Sequence, residues 1–113
     1  MLAEVGSRVE IKNHHRTPAG IFRFHKNFQN DVLCLRLFPG LNPVQLEPLV
    51  QTSARVFILE AFGAGNVPVM DESVIPFIEK VTAAGKLIAI TSQSMNGAVD
   101  LNLYDGGKQA MEA

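Results

Sequence analysis

The chain has 113 residues, of which 47% are apolar and 19% charged, and its formal net charge is −1. That composition excludes a disordered chain, and the length fits one domain that buries roughly 65% of the surface its unfolded form exposes. No basic surplus exists to neutralise phosphates, so nucleic-acid binding is not expected, and apolar runs of about seven residues are too short to span a membrane, which takes roughly 20.

Residues 1–30 read as an arm or interdomain linker. Met1 to Gly6 shows no basic stretch followed by an apolar one, so no export signal is expected. Val9 and Ile11 alternate with polar neighbours as a short strand would, and Ile21, Phe22 and Phe24 predict a second one, together a hairpin-like arm. Between them, Asn13 to Gly20 is a loop. All three histidines lie in this arm. His14 and His15 are adjacent and diverge, so a metal site would need His25 or a carboxylate brought close, and none is expected.

From Asp31 the pattern becomes regular. Val32 to Phe38 is a strongly apolar run closed by Pro39-Gly40. Cys34, the only cysteine, rules out an internal disulfide and a cysteine metal cluster; within this run it reads as a small buried core residue. Asn42-Pro43-Val44-Gln45 opens a helix, with Asn42 as cap, Pro43 in the first turn and Gln45 able to reach back. Pro48 removes an internal hydrogen bond, so that helix is short or bent and ends near Gln51. Val56 to Phe62 is a second apolar run, continuous as in a strand covered on both faces. After Gly63-Ala64-Gly65-Asn66, Asp71 or Ser73 caps a helix to about Ala84. Val74, Phe77, Ile78 and Val81 form its apolar stripe and Gly85 ends it. Leu87 to Thr91 is a third strand, Val99 to Tyr104 alternates like a half-exposed edge strand, and a last helix starts near Gly107 or Lys108. Strands alternating with helices predict right-handed crossovers and a parallel sheet.

Ligands of such sheets bind beyond the carboxyl ends of the strands. Three loops qualify: residues 39–42, 63–66 and 92–94. Gly63 and Gly65 permit positive φ and close approach, and Asn66 adds donors and an acceptor. This loop lacks the third glycine of a dinucleotide fingerprint and the Gly-Lys-Ser/Thr of a phosphate loop. Ser92, Gln93 and Ser94 offer hydroxyls and an amide, yet no histidine lies near enough in sequence to serve as a base. Glu60, just before the glycine loop, either caps nearby N–H groups or faces a ligand. No cofactor is expected.

Several segments, in register, resemble one family. Leu35-Arg36-Leu37-Phe38-Pro39-Gly40-Leu41 resembles the strand and turn "L-x-L-[FY]-P-G" of type I L-asparaginases. Leu59-Glu60-Ala61-Phe62-Gly63-Ala64-Gly65-Asn66-Val67-Pro68 is similar to their "L-E-x-[FY]-G-x-G-N-x-P", and Thr91 to Val99 to their "T-Q-C-x-x-G-x-V". Leu2-Ala3-Glu4-Val5-Gly6 is similar to the "P-L-A-E-x-G" linker between their two domains. The expected fold is therefore α/β, a small Rossmann-like three-layer domain with a mainly parallel sheet of about four strands flanked by helices. It occupies residues 31–113, with the family's final helix truncated.

The resemblance implies hydrolysis of L-asparagine to aspartate and ammonia by a threonine nucleophile held in an N-terminal catalytic domain. No catalytic residue is expected in this chain, which alone should be inactive. The resemblance implies a homo-oligomer in which Asn66 reaches a shared active site, and an effector site for L-asparagine or a similar amino acid at Gly63, Glu60, Asn66, Ser92 and Ser94. Glu60 stands where allosteric members carry arginine, and would repel an α-carboxylate; Ser94 stands where they carry cysteine. Two other readings fit the same residues: a stand-alone amino-acid-binding module, and the related subunit of an archaeal Glu-tRNA amidotransferase. Apolar surfaces that a missing partner domain would cover predict self-association.

Overall fold

The computed structural model describes residues 3–5, 9–11, 20–96 and 98–113; His14 and His15 lie outside them. Strand β1 (Ala3–Val5) pairs antiparallel with β2 (Val9–Ile11), Glu4 facing Glu10. The partner of β2 is thus this upstream segment, which carries the same apolar-acidic-apolar pattern, and not Ile21–Phe24. Residues 21–30 have no regular secondary structure and are exposed, and no strand among the described residues pairs with them.

Three parallel strands make the main sheet in the order β3 (Val32–Arg36), β4 (Val56–Ala61), β5 (Leu87–Ser92). The register aligns Leu33, Phe57 and Ile88 in one row and Leu35, Leu59 and Ile90 in another. Sheet order follows chain order, so both crossovers step the same way, and right-handed connections then fall on one face. That face is dry: Phe57, Leu59 and Ala61 have no exposed surface.

A 3-10 helix over Pro43–Gln51 forms the first crossover. Asn42 caps it, its Oδ1 accepting from Val44 N at 3.0 Å. Pro48 lies inside and lacks the N–H that an α-helix would use, and the segment winds in the tighter form over its whole length. The second crossover is α1 (Ile75–Ala83). Its stripe of Val74, Phe77, Ile78 and Val81 is at most 2% exposed. The Ser73 hydroxyl accepts from Ile75 N, Pro76 sits in the first turn, and Gly85 closes the helix at φ 71°. Phe77 meets Phe57 edge to face, the ring centres 5.6 Å apart. Helix α2 (Asp105–Glu112) packs on α1 and buries Gly106, Gly107 and Ala110.

The α/β class and the parallel sheet agree with the sequence reading; three details do not. The sheet has three strands rather than four, because residues 99–104 turn instead of pairing. Asn102 N donates to Asp100 Oδ1 and Leu103 N to Asp100 O, so local bonds replace a ladder. Val99 and Leu101 instead lie against Gly65. The second difference is in layering: among the described residues the helices cover only one sheet face, giving two layers where three were expected. The third follows from it. Cys34, expected in the core, is exposed, because its row with Ile58 and Ala89 belongs to the open face. No helix among the described residues is long and apolar enough to cross a membrane.

Candidate functional site

Three parallel strands in chain order bring their following loops side by side at the carboxyl edge, as the sequence pattern requires. Pro39-Gly40 makes a tight turn in which Gly40 has φ 85° and Leu41 N donates to Phe38 O at 3.1 Å. The second loop is closed by a two-way bond between Phe62 and Asn66 backbones at 2.9 and 2.8 Å. Inside it, Gly63 has φ 47° and Gly65 φ 107°. A Cβ on Gly65 would come within 2.8 Å of Val99 and Leu101 side chains, so both conformation and space demand glycine there.

The third loop ties the first two together. The Ser92 hydroxyl donates to Gly63 O and accepts from Ser94 N at 2.9 Å. With these two bonds it ties its own loop to the glycine loop. Gln93, in the sequence only an available amide, reaches the ends of both other strands. Its Nε2 donates to Leu37 O at 2.6 Å and to Glu60 O at 2.7 Å, while its backbone N donates to Ala61 O. One amide thereby locks the ends of β3, β4 and β5. Its sequence signal is weak: a Gln directly after a buried-type strand, where carbonyls of neighbouring strands converge.

Gly63, Ser92 and Ser94 are thus brought together by hydrogen bonds. Asn66, half-buried, turns toward α2, where Gly106 leaves room for its Oδ1 and a side chain would collide. Glu60 points to the opposite, open face. Among the described residues it neither caps an N–H group nor joins the serines; its carboxylate lies 3.9 Å from the Arg36 guanidinium, its cross-strand neighbour in register. The alternation of side chains across a strand separates Glu60 from Ala61 and Ser92.

Behind the edge, Lys86 closes the end of the 3-10 helix. Its Nζ donates to Val50 O at 2.7 Å and Thr52 O at 2.6 Å and lies 5.8 Å above the Phe57 ring. At the same amino end of the strands as Lys86, Asp31 O accepts from Arg55 N and Val56 N, and the Asp31 carboxylate bonds Arg55 Nε, which holds its pKa below the ordinary 3.8. Among the described residues no three His, Cys, Asp or Glu side chains gather as metal ligands would.

Residues 31–113 match the glutaminase/asparaginase C-terminal domain model. The L-asparaginase of Thermococcus kodakarensis is 31% identical over 108 residues, which are 96% of this chain and 32% of that protein. A glutamyl-tRNA(Gln) amidotransferase subunit of the same organism is 33% identical over 101 residues, 89% of this chain and 22% of that protein. This chain therefore spans about a third or less of the length of these curated relatives. Among solved structures, the thermostable T. kodakarensis L-asparaginase superposes with a TM-score of 0.74 at 30% identity, over 98% of this chain and 34% of that one. L-asparaginase I of Vibrio cholerae, at 20% identity and a TM-score of 0.71 over 98% of this chain and 34% of its own, shares the fold. With the parallel sheet, the glycine loop and these matches together, the chain belongs to the glutaminase/asparaginase C-terminal domain family.

Proposed function

We propose that this chain is the C-terminal domain of a cytoplasmic L-asparaginase, an amide hydrolase that converts L-asparagine to L-aspartate and ammonia. The nucleophile belongs to an N-terminal catalytic domain. This chain contributes an oligomer contact and secondary substrate or effector contacts through Gly63, Asn66, Ser92, Ser94 and Glu60. The observation that carries the reading is the likeness to an L-asparaginase along 96% of the chain. The edge geometry supports an ordered, non-catalytic role, since the Ser92 hydroxyl is spent on Gly63 O and Ser94 N. Among the described residues no base stands beside it.

The Arg36–Glu60 pair places a cation and an anion next to each other at the end of the sheet. A zwitterionic amino acid presents the complementary pair of charges. Glu60 alone would repel a carboxylate, and Arg36 offsets that repulsion.

The test is a calorimetric titration with L-asparagine, L-aspartate and L-glutamine while ammonia is followed. The expected result is no ammonia from this chain, and ammonia release that survives repurification would defeat the non-catalytic role. Saturable L-asparagine binding that disappears in Arg36→Ala supports the effector contact. A second reading, as part of a tRNA-dependent amidotransferase, is favoured by the 33% identity to the T. kodakarensis amidotransferase protein. A shift of the chain on a native gel by uncharged tRNA, absent with an unrelated RNA hairpin, would select it.

A further inference from the structure

We propose that residues 20–30 form a docking arm that seats in the groove between the 3-10 helix and α1 of a second copy of this chain. The proposal deepens the oligomer contact suggested above and does not depend on the amide chemistry. Four large apolar side chains of the arm, Ile21, Phe22, Phe24 and Phe28, stand 77–88% exposed. So much apolar surface on one short segment marks a contact waiting for a partner. Arg23 and Lys26 make the same segment basic.

The groove is complementary in both respects. It has a volume of about 380 Å³ and apolar walls from Pro43, Val44 and Pro76 over the Phe77 ring. Its rim carries Asp71 and Glu72, both exposed. Glu47 also lines it but is already bonded to Lys80. In an extended arm successive side chains alternate, so Phe22, Phe24 and Lys26 share one side. Two rings can then enter the groove while the ammonium follows toward the acidic rim.

The chain's own groove is not filled by its own arm, whose Phe22 and Phe24 stay 87% and 77% exposed. The arm joins the sheet at Asp31, which Arg55 anchors at the amino end of the strands. The groove opens at the carboxyl end, where the 3-10 helix and α1 begin. Two copies exchanging arms solve this and close on themselves, so assembly stops at a dimer.

Sedimentation equilibrium of the 113-residue chain tests this, with circular dichroism to confirm that each variant is folded. The wild-type chain should run as a dimer. Lys26→Glu, and separately Asp71→Lys with Glu72→Lys, should each weaken it about tenfold or more. An equimolar mixture of the two reversed forms restores opposite charges at both arm–groove contacts, and should regain the dimer. A monomeric wild type, a dimer indifferent to both reversals, or a mixture that stays dissociated would each overturn the proposal.

Discussion

The two faces of the main sheet both carry large apolar residues and have opposite fates. On one face Phe57, Leu59 and Ala61 are wholly buried beneath the 3-10 helix, α1 and α2. On the other, Val32 is 39% and Leu87 67% exposed, and Cys34 and Ala89 are open. Hydropathy separates the rows only in part: the open face ends in Arg36, Glu60 and Thr91, but its Val32, Val56, Ile58 and Leu87 are as apolar as the covered residues. The difference comes from topology: sheet order equals chain order, so both crossovers land on the same side. Apolar strands state that a sheet wants cover on both faces; they do not say which face the chain itself covers.

The comparison is broken most directly by truncating one residue on each face. Phe57→Ala removes a buried ring that touches Phe77 and lies under Lys86, and should cost about 3–5 kcal/mol in urea unfolding. Cys34→Ala, one strand away on the open face, should change stability by less than about 0.5 kcal/mol. The thiol of the folded wild-type chain should also react with a disulfide reagent nearly as fast as in the unfolded chain. Strong native protection of Cys34 would mean that the open face is covered after all.

Some of this was legible in the sequence, and the reasons are particular. Val74, Phe77, Ile78 and Val81 recur at helical spacing and their stripe is the buried one, because a period of 3.6 leaves one geometric solution. Asn42 and Gly85 end their helices as their chemistry dictates. The alternation at residues 99–104 misled because period 2 is necessary for a strand but not sufficient. Asp100 offers the backbone a local bond, and Gly65 offers the apolar side chains a place to pack. The edge residues divide in the same way. Gly63 and Gly65 announce themselves by lacking side chains. The long-range partners of Ser92, Gln93 and Glu60 lie 24 to 56 positions away along the chain and are set only when the strands align.

A second contrast lies within the loop edge. Gly65→Ala combines a disallowed φ with overlap onto Val99 and Leu101, and should cost about 2 kcal/mol or more. Gly40→Ala meets open space, and only the positive φ opposes it, so about 1 kcal/mol is expected. Equal costs in thermal unfolding would mean that residues 99–101 do not pack on the glycine loop. Behind the covered face, Lys86→Met keeps the stem over Phe57 but loses both carbonyl bonds. It should cost about 1–2 kcal/mol, and amide exchange near Thr52 should rise with it.

The smallest expected effect belongs to the far end of the sheet, and pH isolates it. The hydrogen bond from Arg55 holds the Asp31 pKa below 3.8 in the folded chain. A lowered folded value means that the unfolded chain takes up the proton first as pH falls. The stabilisation is therefore complete above the unfolded pKa and fades as pH falls through the folded one. Asp31→Asn should be slightly less stable than wild type at neutral pH, and the gap should close below about pH 4. The pair sits at the surface, so salt should narrow the gap as well. Because Asp31 O also receives Arg55 N and Val56 N, any difference that persists at low pH measures disturbance of that backbone anchor and not the charge. A gap unchanged across the whole range would therefore assign the junction between arm and sheet to backbone bonding alone.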